Sequence, residues 1–381
     1  MTIEIVDVPV PDAWDDDSEG ARLLRTLVDI CNAVVADAWG GDESHAFTYR
    51  EAWAQWHGQV GESDDLRTIA LLDGQPVGRG YASRGLLEAT TIAEIDVMVL
   101  PGARGRGVGT ALADDLMQRM RARGATTFQA WVGHHAAPGP IIAPPTGFGA
   151  VPADSSQVRL LRRLGFGLEQ VERMSELRLR DARPTLRTHL AGAEAHATPR
   201  YRLETWQGRT PDARVGSLAA LHARMSTDAP SADLAHEPEV WDAERLRRYE
   251  SSQIEGGRSV LRAVAVDAAD EHVVAFTTLV GSGGGAPWYQ HDTLVHAEHR
   301  GHRLGMLVKA ANLLALADLQ PDSVVRTWNA EENRPMLAVN EALGFVAIRS
   351  EGVWQRTEGQ RTEGQRTEGQ RTEGQRTEGP A

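Results

Sequence analysis

The sequence predicts an α/β (α+β) chain that is built from two similar halves. In the first half, a β-branched run at residues 93–99 leads through a glycine-rich turn into an amphipathic helical pattern, and the same succession returns at residues 290–314. Each copy is later followed by a Leu-Gly-Phe sequence, at residues 164–166 and 343–345. Because two motifs repeat in the same order, we expect both halves to have one fold.

The first half is predicted to alternate strands and helices. Its expected strands cover residues 2–8, 68–72, 76–82, 93–99, 126–132 and 171–179. Asp73 and Gly74 are typical of the tight turn of a hairpin. Helices are expected at residues 21–35, around 47–56 and from Val108 onwards, where apolar residues recur every three or four positions.

A proline-rich segment at residues 133–152 has no counterpart in the second half. Five prolines and four glycines exclude regular secondary structure there. Such a segment is either a substrate lid or a packed connector. The stiffness that prolines give a loop favours the connector.

The second half repeats the pattern after a linker. Its expected strands cover residues 201–206, 260–266, 273–280 and the copy of the central strand, and its expected helices cover 211–225 and 237–250. The predicted division is a domain at 1–182, a polar linker at 183–200, a domain at 201–355 and a tail at 356–381. Residues 355–379 are five repeats of Gln-Arg-Thr-Glu-Gly, and most of the tail consists of them. The repeats have no apolar side chain to bury, so disorder is expected.

Composition and charge limit the classes of function. With 381 residues, 41% of them hydrophobic, the chain is long enough for two cores. A formal net charge of −13 argues against nucleic-acid binding and mildly favours a cationic small-molecule partner. The single Cys31 cannot form an internal disulfide. No signal sequence or membrane-spanning run is evident, so we expect a cytoplasmic protein without membrane partners.

The glycine-rich turns are typical of phosphate-binding sites. Backbone N–H groups converge at such a turn, and the start of the following helix adds partial positive charge. Gly107 and Gly109 allow a bulky anion to approach, and Arg104 and Arg106 can reach its outer oxygens. The sequence lacks both the Gly-Lys-Ser/Thr ending of a P-loop and the spacing of a dinucleotide fingerprint.

The spacing Arg-x-x-Gly-x-Gly after a strand instead resembles the acyl-CoA pyrophosphate loop of the GNAT superfamily of acyltransferases. The second copy aligns with the first without a gap, which pairs Asp292 with Asp96 and Arg300 with Arg104. The chain therefore resembles a tandem GNAT protein with a mycothiol-synthase-like, actinobacterial architecture. The resemblance implies two tandem domains, each with a mixed, mostly antiparallel central sheet flanked by helices. It covers nearly the whole chain except the tail.

The resemblance also implies acetyl-CoA as the acyl donor and a small-molecule amine as the acceptor. Backbone groups of Met98, Val99, Leu294 and Val295 would bind the pantetheine arm. The loops would hold the pyrophosphate through Arg104, Gly105, Arg106, Gly107, Val108, Gly109 and Thr110 in one half, and through Arg300, Gly301, His302, Arg303, Leu304, Gly305 and Met306 in the other. Asn329, Asn333 and Asn340 match asparagines that line the cofactor side in related second domains.

Two carboxylates are the candidate general bases. Glu94 occupies a strand position where several GNAT members have a catalytic glutamate, whereas the matching Gln290 cannot accept a proton. Asp292 is then the candidate in the second half. For each carboxylate, a structural role as a hydrogen-bond acceptor on a strand edge remains an equal alternative.

The family's usual acid for the departing thiolate is a tyrosine, but Leu161 and Asn340 stand at the matching positions. The leading hypothesis is an acetyl-CoA-dependent N-acetyltransferase whose second half is catalytic, by analogy with tandem relatives. The alternatives are a non-catalytic acyl-CoA-binding or sensing protein and a protein N-acetyltransferase. No metal site is expected from His291, His296, His299 and His302, because two of them lie where phosphate would bind. We expect a monomer or homodimer.

Overall fold

The computed structural model describes residues 1–228, 230–283 and 285–359. The strands are β1 (Ile3–Asp7), β2 (Ser63–Leu72), β3 (Gln75–Gly85), β4 (Ile92–Val99), β5 (Thr127–His134), β6 (Ile141–Ile142), β7 (Val151–Pro152), β8 (Gly167–Arg178), β9 (Tyr201–Gln207), β10 (Ser259–Asp267), β11 (Val273–Gly281), β12 (Trp288–Val295), β13 (Val324–Ala330) and β14 (Val346–Thr357). The helices are α1 (Glu19–Ala38), α2 (Tyr49–Gly58), α3 (Val108–Ala122), α4 (Ser156–Arg163), α5 (Leu179–Ala197), α6 (Asp212–Ala223), α7 (Met225–Asp228), α8 (Ala243–Glu255), α9 (Leu304–Leu319) and α10 (Arg334–Leu343).

Twelve of these strands form one continuous sheet, in the order β1-β2-β3-β4-β5-β14-β8-β13-β12-β11-β10-β9. The outer strands repeat symmetrically from both edges, which confirms the predicted duplication. All neighbours are antiparallel except the pairs β4–β5 and β12–β13. The predicted mixed, mostly antiparallel sheet is thus confirmed, with helices on both of its faces.

The halves exchange strands at the centre of the sheet. Strand β14, from the end of the described chain, lies between β5 and β8, and β8 in turn pairs with β13. Val353 and Trp354 are buried there, which anchors β14 in the first half. The boundaries 1–182 and 201–355 therefore divide the sequence but not the sheet. Helix α2 also packs on α8, where Arg258 Nε lies 3.1 Å from a carboxylate oxygen of Glu51.

Most of the predicted linker at 183–200 is helical, because the residues up to Ala197 belong to α5. Leu186, Ala193 and Ala197 recur at helical spacing and are buried against α9. Pro184 lies in the second turn of α5, so only one backbone hydrogen bond is lost near the start of the helix. The segment is a structural helix rather than a flexible connection.

The predicted tail at 356–381 begins too early. Arg356 and Thr357 continue β14, where they pair with Phe128 and Thr127 of β5. This pairing uses main-chain groups and needs no apolar side chain. The expected disorder of the later repeats concerns residues 360–381, which lie outside the described residues.

Other sequence predictions gained detail. The hairpin β2–β3 turns at Asp73 and Gly74, both with positive φ, as expected. The proline-rich segment 133–152 contains the small hairpin β6–β7, which corrects the prediction of no regular structure. Val151 of this hairpin is fully buried, as a packed connector requires. None of the described helices is both long and apolar enough to span a bilayer.

Candidate active site

The two glycine-rich turns have the same backbone course. After β4 and after β12 the chain makes one 3₁₀ turn, at Pro101–Ala103 and Ala297–His299, and then enters α3 or α9. The residue before each helix is left-handed, with φ of 85° at Gly107 and 56° at Arg303. Among the described residues no side chain caps either helix start. The first-turn N–H groups can therefore bind an anion.

Arg104 and Arg300 occupy equivalent places in these turns. Their Nε atoms donate to the carbonyl oxygens of Val99 and Val295, at 3.1 and 3.3 Å. Arg104 also forms an ion pair with Asp37 at 2.9 Å, and Arg300 forms one with Asp228 at 3.0 Å. Both arginines are thus held at the turn, where a phosphate would compete with the aspartate for the guanidinium.

The central strands separate from their parallel neighbours just before each turn. Strand β4 pairs with β5 only at residues 92–94, and β12 pairs with β13 only at residues 288 and 289. Beyond these pairs, the strand edge offers unpaired backbone groups to the gap. The gap in the second half opens into a cavity of about 1190 Å³, whereas the first half has one of about 340 Å³.

Most of the predicted site residues border these two cavities. The larger cavity is bordered by Asp292, Leu294, Val295, Arg300, Gly301, Arg303, Leu304, Gly305, Met306, Asn329 and Asn333. The smaller one is bordered by Met98, Val99, Arg104, Gly105, Gly107, Gly109 and Thr110. Of the other predicted residues, Arg106 is exposed and Val108 is buried in the core. The ring of His302 lies 5.4 Å from that of Tyr201, outside the set that borders the cavity.

A β-bulge in β12 directs two side chains to one face of the sheet. Thr277 pairs with Thr293 and Leu279 pairs with Gln290, so His291 and Asp292 together oppose the single Thr278. Tyr249 Oη of α8 lies 3.5 Å from His291 Nδ1, and His222 Nδ1 of α6 lies 3.7 Å from Asp292 Oδ2. The bulge thus places Asp292 in a recess between the sheet, α6 and α8.

The same bulge turns Gln290 to the opposite face. Its amide nitrogen donates to Thr277 Oγ1 at 2.7 Å and to the Thr278 carbonyl at 2.8 Å. The residue that matches Glu94 in the alignment is therefore a structural hydrogen-bond donor, which agrees with its exclusion as a base.

The surroundings of Asp292 suit a general base. Burial in the recess, with a contribution from Glu239, raises the pKa of Asp292 to about 6. The side chain is nonetheless 42% exposed, because the recess is open to the cavity. Burial lowers the pKa of the neighbouring His222 to about 3, so this ring is neutral at pH 7. An ionised carboxylate with a pKa near 6 can accept a proton at neutral pH.

Glu94 has a raised pKa but a different setting. Desolvation by the surrounding protein, together with the nearby Asp96, raises the pKa of Glu94 to about 7, although the residue remains exposed to solvent. Asp96 itself is paired with Arg79. Strand β4 pairs with β3 without a bulge, and among the described residues Glu94 does not border the cavity of its own glycine-rich turn. The first half therefore separates its candidate base from its phosphate site.

Comparison with known proteins agrees with this geometry. Residues 20–138 match the model of the acetyltransferase (GNAT) family. Among solved structures, the tandem GNAT protein from the clavulanic acid biosynthesis pathway is 23% identical, has a TM-score of 0.69 and covers 94% of this chain and 99% of its own. The chain has a tandem GNAT fold. The match to the family model lies within its first half.

Two further structures share the GNAT fold at lower identity. One is a GCN5-related N-acetyltransferase from Sphaerobacter thermophilus, at 13% identity and a TM-score of 0.54, with 87% of this chain and 91% of that chain covered. The other is the GCN5-related glucosamine N-acetyltransferase region of a fungal multi-domain β-N-acetylglucosaminidase, at 17% identity and a TM-score of 0.57, with 93% and 38% covered. A sequence search among curated proteins gave no match.

Neither GNAT half has an acid at the position of the family's tyrosine. Leu161 lies in the core of the first half. Asn340 is buried, and its amide nitrogen donates to Asn329 Oδ1 at 2.7 Å. Asn333 caps α10 through its contact with the Met336 N–H at 3.4 Å. The asparagines thus organise the wall of the cleft, and neither matching position offers a proton donor.

The histidines at the second GNAT turn form a local cluster. Donor atoms of His296, Glu298 and His299 lie within 4.8 Å of one another, a grouping that a metal ion could use. In this structure His299 Nδ1 lies 3.1 Å from Tyr201 Oη and 3.6 Å from Asp267 Oδ2. His296 Nδ1 accepts a 3.4 Å hydrogen bond from the Glu298 N–H. These contacts serve the turn itself, so no metal role is assigned.

Sequence reasoning missed several residues of the GNAT cleft. His189 and Ala193 border it because α5, which was predicted to be a linker, forms one of its walls. Glu172 reaches it from the exchanged strand β8. Lys309 borders it from α9 and could have been found, since it is the single basic residue of a mostly apolar helix.

Proposed function

We propose that the protein is an acetyl-CoA-dependent N-acetyltransferase that acts on a small-molecule amine and works in its second half. The observation that supports this most strongly is one continuous cavity, which joins the phosphate-binding turn before α9 to the carboxylate of Asp292. A donor held by the turn and an acceptor beside the carboxylate would then meet in the same space. The cytoplasmic location and the monomeric or homodimeric state remain expectations.

Each part of the cleft has a role in this proposal. The uncapped N–H groups of α9, with Arg300 and Arg303, hold the pyrophosphate of the acyl donor. The unpaired edge of β12 at Leu294 and Val295 binds the pantetheine arm and orients the thioester. Acetyl-CoA supplies the activated acetyl group, and Asp292 removes a proton from the attacking amine.

The charge of the cavity favours a basic acceptor. Asp292, Glu172, Glu332 and Asp228 all border it. The pKa of Glu172 is raised to about 7, first by burial and then by Glu351 and Glu332. A protonated amine that enters the cavity beside these carboxylates would reduce the repulsion among them.

A non-catalytic, acyl-CoA-binding role is the alternative for the first half. Its smaller cavity contains the cleaner glycine turn, yet among the described residues it is bordered by no carboxylate. Binding without chemistry is what such a site supports.

Turnover with a panel of amines tests the proposal. Acetyl-CoA is supplied, and release of the free thiol is followed for the wild type, Asp292→Asn and, as the matched control, Glu94→Gln. Asp292→Asn should lower kcat by roughly 10²- to 10⁴-fold, with acetyl-CoA affinity unchanged by calorimetry. Glu94→Gln should keep the wild-type kcat. The proposal would be contradicted if the wild type binds acetyl-CoA but none of the amines in the panel leads to release of the thiol.

A further inference from the structure

Lys309 is the only lysine in the sequence; the other 39 of the 40 basic Lys and Arg residues are arginine. It lies in α9, is 1% exposed and borders the large cavity. At the matching position of α3 the first half has Ala113, which packs in the core. The single lysine therefore lies inside the half that the proposed function makes catalytic.

No described residue balances the charge of Lys309. Its Nζ makes neither a hydrogen bond nor an ion pair within residues 1–228, 230–283 and 285–359, and lies 5.6 Å from the ring centroid of Phe345. Burial alone lowers the pKa of Lys309 to about 7. A buried amine without a partner destabilises a fold, so packing does not explain why it is there.

The charged groups that border the same cavity do not pair with Lys309. The carboxylates that border the cavity are Glu172, Asp228, Asp292 and Glu332. Its other titratable or charged groups are His189, His291, Arg300 and Arg303. Any anion that reaches the amine therefore has to come with a bound molecule.

The position of Lys309 in the fold indicates which anion this is. Phe345, whose ring the amine contacts, directly follows α10, and its N–H donates to the carbonyl of Asn340 at 3.0 Å. Met336 and Val339 of α10 border the same cavity. Lys309 thus lies beside the helix from which the family's tyrosine would act, where Asn340 has no proton to give.

We propose that the Lys309 ammonium is the general acid that protonates the departing CoA thiolate. This inference rests on the proposed function. The acceptor reacts as the free amine, after its ammonium proton has left to solvent: its nitrogen bonds to the thioester carbonyl carbon and gives one N–H proton to Asp292. The C–S bond breaks with its electron pair on sulfur, and Lys309 transfers a proton to that sulfur. One proton then returns from Asp292 to Lys309 through solvent, which restores both groups.

The difference in pKa favours proton transfer from Lys309 to the thiolate. A free thiol has a pKa of about 8.5, so its thiolate is a stronger base than a lysine whose pKa is about 7. An arginine cannot replace this function, because its guanidinium does not release a proton near neutral pH. This accounts for one lysine in a chain that otherwise uses arginine.

Two variants separate the acid from a binding contact. Lys309→Met removes the amine at similar volume, and Lys309→Arg keeps the charge without a transferable proton. Each should lower kcat by about 10²-fold with the acetyl-CoA Kd, measured by calorimetry, within about threefold. Lys309→Met should also raise Tm by at least about 3 °C, because an unpaired buried cation is removed. A weakened Kd with unchanged kcat would make Lys309 a binding residue and overturn the inference.

The single lysine allows a direct readout that needs no turnover. Protein labelled with [¹³Cε]lysine should give one side-chain signal, recorded with CoA and with desulfo-CoA, which lacks the sulfur. A shift with CoA that is absent with desulfo-CoA supports contact with the sulfur, and equal shifts overturn it. An acetyl group found on Lys309 by intact mass would make it an acceptor and also overturn the inference.

The two proposals fail differently. A wild type without turnover on any amine overturns the proposed function and this inference with it. A Lys309→Met variant as active as a working wild type overturns this inference alone.

Discussion

The two halves of the molecule have nearly the same turn but not the same cleft. The first has glycine where the second has the left-handed Arg303, so the first better matches a phosphate-binding sequence. Yet it is the second that has the large cavity and the bulge that directs Asp292 towards it. A binding motif and a reaction chamber are therefore separate properties, and the motif alone does not show which half is catalytic.

Taking the halves apart should have the largest effect. A chain that stops after Phe345 loses β14 and the burial of Val353 and Trp354. We expect a loss of more than about 5 kcal/mol, comparable to the whole stability of a typical domain. Circular dichroism and thermal unfolding would show the loss. A chain that stops after Gly359 is the control and should keep the Tm of the full chain. If the chain that stops after Phe345 still unfolds cooperatively, the strand exchange is contradicted.

Charge reversal in the turns should distinguish the halves next. Arg300→Glu places a second carboxylate beside Asp228, and Arg104→Glu does the same beside Asp37. Each should weaken acetyl-CoA binding in its own half by roughly 2–4 kcal/mol. Only Arg300→Glu should abolish turnover. Calorimetric stoichiometry and thiol release measure the two effects, and the reverse pattern would make the first half catalytic.

The pH profile should report on Asp292. The base must be ionised to accept a proton, and its pKa is about 6. As the pH falls below 6, kcat/KM should therefore drop by about tenfold per unit. Rates from pH 4.5 to 8 with saturating acetyl-CoA would show this acidic limb. Asp292→Asn should remove the acidic limb of the pH profile together with most of the activity. If the residual activity of this variant keeps the same acidic limb, the limb belongs to another group.

Substitutions at Gly107 and Arg303, the two left-handed residues before α3 and α9, should have the smallest effect on stability. Gly107→Arg places a side chain at φ 85°, where an added Cβ would meet only Ile3 Cδ1, at 3.9 Å. We expect a loss of about 1–2 kcal/mol from backbone strain. Arg303→Gly removes such strain but loosens the unfolded chain, so stability should change by less than about 1 kcal/mol. Urea denaturation measures the stability of both variants. If Gly107→Arg stabilises the protein, the positive φ does not decide which residue stands before the helix.

Much of the fold was predictable because local patterns determine it. The turn at Asp73 and Gly74, helix α3 from Val108 and the duplicated loop all follow from short-range spacing. Helix α5 was missed because its composition looked polar, although Leu186, Ala193 and Ala197 lie at helical spacing. The exchange of β8 and β14 depends on contacts between distant segments, which one sequence does not reveal.

The candidate site was predicted less completely for a related reason. Aligning Asp292 with Asp96 gave the correct strand position, but alignment alone does not show the bulge that turns Gln290 away and brings His291 beside Asp292. A bulge is decided by pairing with β11, not by the residues of β12 alone. Lys309 was visible as the single basic residue of a mostly apolar helix, and the count of lysines would have singled it out.

The exchange of β8 and β14 also affects how the chain can fold while it is being made. During translation, the ribosome delivers β5 and β8 long before β14, the strand that separates them in the finished sheet. The first half therefore leaves the ribosome with one edge of β5 and both edges of β8 unpaired, because β8 pairs only with β13 and β14. It stays incomplete until the last strand of the described chain is synthesised, and chaperones that protect exposed edges would act on it during this interval.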